Sequence, residues 1–125
     1  MAQTVDPINV VHEGAIFVVD ANRAWDPENP VPGNLKMTFN NGNDDWIDGI
    51  VESFYPENHV LWQSGRIAKG ESREQNESMW NHRGKAIKIF RWAPGLFGLP
   101  GSGGGHALIQ LPESGDVTIT ISVIG

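Results

Sequence analysis

The stretch from Val117 to Val123 constrains the fold more than any other part of the sequence. Its residues, VTITISV, alternate strictly between branched apolar side chains and small hydroxyl side chains. Because successive side chains of a β-strand point to opposite faces, this pattern predicts a strand with one face toward a core and one toward water. A slip of one residue would exchange the two faces, so the register of this strand is well specified.

Other segments share the two-residue period or are rich in β-branched residues. In residues 85–92, Ile87 and Ile89 fall on one face of a strand, whereas Phe90 and Trp92 share the other, which is therefore aromatic. Strands are predicted at residues 8–11, 15–20, 35–39, 50–55, 59–64, 85–92, 106–111 and 117–123. Since no helical period is visible, the chain is expected to be all-β. We favour one antiparallel β-sandwich domain over residues 1–125, with about eight or nine short strands.

The segments between these strands are predicted to be loops or turns. Residues 22–33 contain three prolines, which favours a long surface loop carrying Trp25. Residues 40–49 are rich in Asn, Asp and Gly, as in turns, and the polar residues 69–76 are expected to be loop with at most one helical turn.

The segment 93–105 is the most irregular part of the sequence. It holds six glycines and two prolines, so we expect it to be exposed and mobile and to carry part of a binding surface. Its apolar residues Leu96, Phe97 and Leu99 suit an interface with a membrane or with a second copy of the chain. Alternatively, they fold back and plug one open end of the sandwich.

Charge and cysteine content narrow the classes of function. The formal net charge is −6 and the nine basic residues are scattered, which disfavours nucleic acid as a partner. Without cysteine, the chain has no disulfide framework, thiol nucleophile or cysteine metal site. No apolar run approaches the length of a bilayer span, and the first residues lack a signal-peptide pattern. We expect a soluble protein, cytoplasmic or secreted without a classical signal peptide.

The sequence shows neither a catalytic set nor a metal motif. Its four histidines lie singly on separate segments: His12, His59, His82 and His106. Residues 43–48 offer oxygen ligands for Ca²⁺ but lack the EF-hand loop with its closing glutamate, so an Asx-rich turn is favoured. An enzyme would need distant residues such as His59, His106 and Asp45 to converge. We therefore predict a non-enzymatic protein with no metal and no cofactor.

The five tryptophans are the most suggestive feature for function. Trp62, Trp80 and Trp92 lie in or near strands, where core packing is the favoured role. Trp25 and Trp46 lie in segments rich in Pro, Asn and Asp, where an indole suits a sugar face or the headgroup level of a membrane.

Two hypotheses of different class follow from these tryptophans. In the leading one, Trp25, Trp46, Phe97 and Leu99 attach the protein to membrane lipid headgroups. In the alternative, which is lectin-like, Trp25 or Trp46 stacks on a sugar ring. The hydroxyl groups of that sugar then donate hydrogen bonds to one or more of three neighbouring polar residues: Asn43, Asp44 or Asp48.

Several sequence features follow one another in a set order over about three quarters of the chain: Asn34-Leu35-Lys36 before the turn at 41–45, Pro56 before a strand ending Ser64-Gly65-Arg66, Phe90-Arg91-Trp92 with Pro94 beyond, and the final alternating strand. This order resembles that of the aegerolysin family of small acidic β-sandwich proteins. The chain departs from the family at residues 71–78 and at Ala93. The resemblance implies binding to sphingolipid-type headgroups, often with a larger pore-forming partner protein and without catalysis. It assigns no binding residue.

Overall fold

The computed structural model describes residues 3–14, 17–55, 57–94, 100–101 and 105–124. The chain there is almost entirely β-structure, with a single short 3₁₀ turn at Met79–Asn81. Its strands are β1 (Thr4–Pro7), β2 (Val10–Glu13), β3 (Phe17–Trp25), β4 (Pro32–Asn41), β5 (Ile47–Tyr55), β6 (His59–Ile67), β7 (Ser72–Ser78), β8 (Ala86–Pro94), β9 (Pro100–Gly101), β10 (His106–Gln110) and β11 (Gly115–Val123). The all-β prediction is confirmed.

The strands form two sheets of five, as in a sandwich. Sheet A has the order β1-β3-β11-β4-β7, and sheet B has the order β2-β10-β8-β5-β6, with the short β9 paired to β8. Every pair is antiparallel except β4 with β11, which is parallel. The predicted β-sandwich is therefore confirmed. It has about two strands more than expected, and one of its strand pairs is parallel and not antiparallel.

The core lies between the inner faces of the two sheets. The four apolar residues of the alternating stretch in β11 are all buried, as are Leu35, Met37 and Phe39 of β4 and Ile87 and Ile89 of β8. Each of these side chains, once fully buried, contributes about 1.5–3 kcal/mol of hydrophobic stabilisation. The faces predicted for all three strands are confirmed.

Several loops are shorter than the sequence suggested. Strand β3 continues to Trp25 and β4 begins at Pro32, so the expected loop 22–33 is reduced to residues 26–31. The predicted turn 40–49 is reduced to residues 42–46, because β4 continues to Asn41 and β5 begins at Ile47. Proline is tolerated at the first residue of a strand, where no ladder donor is lost, and this explains the early start of β4.

The prediction of a loop at residues 69–76 is wrong, because Ser72–Ser78 forms β7. This strand pairs with β4 in unbroken register from Asn40↔Ser72 to Asn34↔Ser78. It lies at the edge of sheet A and most of its residues are exposed. An edge strand rich in charged residues lacks the apolar alternation that identifies a half-buried strand.

The glycine-rich segment 93–105 is described only in part. Ala93 and Pro94 end β8 and pair with Gly101 and Pro100 of β9. Residues 95–99, which include Phe97 and Leu99, and residues 102–104 lie outside the described residues, so the expectation of a mobile apolar loop stays a prediction. No helix in the described part of the chain is long and apolar enough to cross a bilayer.

Candidate ligand-binding site

The outer faces of the two sheets differ in chemistry. Sheet A turns mostly polar side chains outward from its three longest strands, with exposed Val18 of β3 as an exception: Asp20 and Asn22 from β3, Thr118, Thr120 and Ser122 from β11, and Lys36, Thr38 and Asn40 from β4. Sheet B has large apolar side chains on its outer face: Val11, Phe54, Phe90, Trp92 and Leu108, together with Ile50, which is only 6% exposed. Large apolar side chains gathered on one outer face, with polar groups between them, favour an interaction site there.

A pocket of about 270 Å³ lies at one end of this apolar face. Two indoles, one carboxylate and one guanidinium line it: Trp46, Asp48, Arg66 and Trp92. We call it the tryptophan pocket. Ligand sites generally combine mostly apolar walls with a small number of convergent polar groups, and this pocket has that composition.

Three adjacent strands bring the lining residues together. Asp48 on β5 lies opposite Trp92 on β8 and, on its other side, opposite Arg66 on β6. Trp46 lies immediately before β5. Three of the four lining residues are therefore held by hydrogen-bonded strands, which fixes the geometry of the pocket.

A β-bulge sets the position of Arg66. Between the pairs Asp48↔Arg66 and Ile50↔Gln63, β6 has one residue more than β5, and Gly65 there has a φ of 75°. This left-handed backbone suits glycine, and such a bulge redirects the neighbouring side chain. The hydroxyl of Ser64 accepts a hydrogen bond from the Gly49 amide across the bulge.

Buried Asn41 organises the turn that carries Trp46. Its side-chain amide donates to the carbonyl oxygens of Asp45 and Ile67, and its Oδ1 accepts from the Asn43 amide. The guanidinium carbon of Arg66 lies 4.1 Å from the centroid of the Trp46 ring, a cation–π contact. Asn41 thus holds the turn before Trp46, and Arg66 restrains its ring.

Asp48 is the polar centre of the tryptophan pocket. Its Oδ2 accepts a hydrogen bond of 2.9 Å from Gln63 Nε2. Its Oδ1 is buried and has no hydrogen-bond partner among the described residues. A buried carboxylate oxygen without a partner is costly to the folded state.

The inner side of β8 behind the pocket holds a buried charge. Arg91, which lies between Phe90 and Trp92 and opposite Gly49, is almost fully buried. Burial lowers the pKa of the Arg91 guanidinium from its ordinary value, because the charged form loses hydration. A guanidinium stays protonated at neutral pH even so, and Arg91 keeps its positive charge.

The predicted site residues do not all come together. Trp46 and Asp48 share the tryptophan pocket. Asn43 and Asp44 lie on the adjacent turn but do not line it, and Asp44 forms an exposed ion pair of 3.3 Å with Lys69. Phe97 and Leu99 lie outside the described residues.

Trp25 lies at the opposite end of the sandwich from Trp46. It ends β3 near the start of β11, whereas Trp46 follows the end of β4, beside the end of β11. The Trp25 indole donates a 2.7 Å hydrogen bond to Asp6 Oδ2, and Arg23 stacks on its ring at 3.7 Å. These contacts tie Trp25 to β1 and β3, so the two tryptophans do not form one surface.

The pocket includes two residues that sequence reasoning did not select, Arg66 and Trp92. Core packing was favoured for Trp92, yet its side chain faces outward and lines the pocket. The aromatic second face predicted for β8 was the signal that pointed to it. Trp62 does pack against the core, since its ring centroid lies 5.5 Å from that of buried Phe39. Trp80 is exposed.

The histidines remain apart in the part of the chain that the structure describes. His82 lies near Glu77 and His106 near Glu13, with nitrogen–oxygen distances of 3.4 and 3.2 Å. His59 begins β6 and His106 begins β10, and these strands are separated by β5 and β8. Within the described ranges, no three His, Asp or Glu side chains meet as metal ligands.

No protein-family model matches this chain, and no curated protein matches it either.

Proposed function

We propose that this protein is a non-enzymatic carbohydrate-binding protein whose site is the tryptophan pocket. The observation that carries the proposal is the lining of this pocket, which sets the carboxylate of Asp48 and the guanidinium of Arg66 beside the indoles of Trp46 and Trp92. A sugar ring offers both complements, because its C–H face packs on an indole and its hydroxyl groups donate hydrogen bonds to a carboxylate.

Arg66 adds donors to the same pocket. Its guanidinium is planar and lies over Trp46, so its orientation is restricted before binding. A guanidinium carries five N–H donors, which complement the hydroxyl or carboxylate oxygens of a sugar. With Asp48 as acceptor and Arg66 as donor, the pocket can hold a polyhydroxylated ligand in one orientation.

Membrane lipid headgroups are the second candidate ligand. The observation in favour is the pairing of opposite charges, Asp48 and Arg66, beside two indoles, which complements a zwitterionic headgroup made of an ammonium and a phosphate group. The resemblance to aegerolysins points the same way, and it adds a pore-forming partner protein. We place this candidate second because Trp25 lies far from Trp46, and Phe97 and Leu99 are outside the described residues.

A glycan array tests the first candidate. We expect wild-type protein to bind a subset of glycans. Trp92→Ala should weaken that binding about fivefold and Asp48→Asn about tenfold, since an aromatic contact is worth about 1 kcal/mol and a charged hydrogen bond somewhat more. Trp80→Ala is the control, because Trp80 is 58% exposed and, like Trp46, stacks with an arginine, but lies outside the pocket.

Vesicle co-sedimentation separates the two candidates. Vesicles of phosphatidylcholine, sphingomyelin with sterol, and anionic lipid should not retain the protein if the ligand is a free glycan. Retention that requires Trp92 and resists competition by soluble sugar would support the lipid candidate and contradict the first. Equal losses in Trp80→Ala and Trp92→Ala would contradict both.

A further inference from the structure

A second cavity lies on the same outer face as the tryptophan pocket. Its volume is about 240 Å³, and its lining includes Val11, Phe54, Ala86, Leu108 and Gln110. We call it the distal cavity. Phe54 and Val11 are 40% and 48% exposed, although both are large apolar residues. The two cavities occupy opposite ends of sheet B, because β8 begins at Ala86 and reaches Trp92 near its other end.

Strand β8 connects the two cavities. Its outward residues between Ala86 and Trp92 are Lys88 and Phe90. At about 3.4 Å per residue, the path from Ala86 to Trp92 is about 20 Å long. The ring of Phe90 meets that of Trp92 edge to face at 6.3 Å, so the aromatic surface continues out of the tryptophan pocket. A single sugar ring would cover only a fraction of this path.

Hydrogen-bonding groups occur along the same path. Lys88 and Glu52 form an ion pair of 3.4 Å at its middle, with side chains that are 35% and 27% exposed. Gln63 lies beside the tryptophan pocket, bonded to Asp48, and Gln110 lies at the distal cavity. Apolar surface therefore alternates with polar groups over the whole path.

We infer that the ligand is a linear oligosaccharide that lies along β8, with one sugar in the tryptophan pocket and another over Phe54 in the distal cavity; this rests on the proposed sugar-binding function. A hydroxylated chain can pack on the rings and also hydrogen-bond to Glu52 and Lys88. A bilayer interior would instead strip water from that ion pair without replacing its hydrogen bonds, at a net cost.

Calorimetric titration with chains of increasing length tests the inference. The probes are gluco-, xylo-, manno- and chito-oligosaccharides of one to six units. For the series that binds, we expect the affinity of wild-type protein to rise at least tenfold from the shortest to the longest chain. Phe54→Ser should remove that gain and leave binding of the shortest chain unchanged, whereas Trp92→Ala should weaken every length.

Two further variants keep the result interpretable. Val18→Ser is the control, because Val18 is 55% exposed on the outer face of sheet A and should leave the length series unchanged. Val11→Ser, also in the distal cavity, replaces Phe54→Ser if the latter does not fold, and should reduce the gain with length.

Four results would overturn the inference. Affinity independent of chain length would limit the ligand to the tryptophan pocket and leave the proposed function standing. An equal loss at every length in Phe54→Ser would show that Phe54 does not act through a second sugar. Absence of binding to any glycan in the array or titrations would remove the proposed function as well. Phe54-dependent binding to phosphatidylcholine or sphingomyelin vesicles would assign this face to a membrane.

Discussion

The two outer faces of the sandwich consist of similar strands, but their outward side chains differ in polarity. Both sheets bury their inner faces in one core, and both contain five strands. On sheet A, the outward residues of β11 are an aspartate, two threonines and a serine. On sheet B, the outward residues of β8 include Phe90 and Trp92.

This difference shows which apolar side chains the fold requires and which it does not. The core needs one apolar face per sheet, and sheet A shows that a polar outer face satisfies this requirement. The aromatic outer face of sheet B is therefore additional to the needs of folding, which is why we place binding there. Substitutions on inner and outer faces should accordingly differ in their effect on stability.

Phe39→Ala should produce the largest effect, because it removes a fully buried ring shared by the two sheets. Phe39 has no exposed surface and contacts Trp62. We expect the free energy of unfolding to fall by about 3–5 kcal/mol. Urea denaturation followed by tryptophan fluorescence measures this loss, and a loss below about 1 kcal/mol would mean that the inner faces are not the main source of stability.

Gly49→Ala should cost less than Phe39→Ala but still destabilise. A Cβ at Gly49 would lie 2.5 Å from ring atoms of Phe39, so the substitution overpacks the core. We expect a loss of about 1–3 kcal/mol. The double variant Gly49→Ala with Phe39→Leu should recover part of it, measured as a coupling energy in a double-mutant cycle; strict additivity would argue against the clash.

Asp48→Asn should leave stability nearly unchanged while it weakens ligand binding. The substitution keeps the shape of the side chain and removes a charge whose Oδ1 has no partner among the described residues. We expect the free energy of unfolding to stay the same or rise by up to about 1 kcal/mol. Thermal denaturation by circular dichroism would reveal the opposite result, a clear loss, which would make Asp48 a structural residue.

Glu74→Gln on sheet A should have the smallest effect. Glu74 pairs with Lys36 at 3.4 Å, but both side chains are about half exposed, so water and salt screen the attraction. We expect a change below about 0.5 kcal/mol in urea denaturation, at low and at high salt. A larger, salt-dependent loss would show that the polar outer face also contributes substantially to stability.

The fold was predictable where one face of a strand is buried and the other is exposed to solvent. The pattern in β11 specifies its faces, and the pair Ile87 and Ile89 specifies those of β8. Strand β7 was missed because SREQNES has no apolar alternation, and its place in the sheet depends on pairing with β4. Edge strands of this kind are determined by a partner distant in sequence.

The candidate site was predictable only in part. Trp46 and Asp48 were identified from residues within one turn, where polar and aromatic side chains are close in sequence. Arg66 and Trp92 join them through the pairing of β6 and β8 with β5, and no local pattern reveals that register. Trp25 resembled Trp46 in its sequence context but lies at the other end of the sandwich.

The parallel pairing of β4 with β11 has a consequence for how the protein assembles. Strand β11 is the last of the eleven strands to leave the ribosome, yet it lies at the centre of sheet A. Until then, β3 and β4 have no common neighbour, and sheet A can exist only as the separate pairs β1–β3 and β4–β7. Insertion of β11 between β3 and β4 joins segments that are far apart in sequence, and such non-local pairing slows folding. A nascent chain halted before Gly115 should therefore expose unpaired strand edges and depend on chaperones.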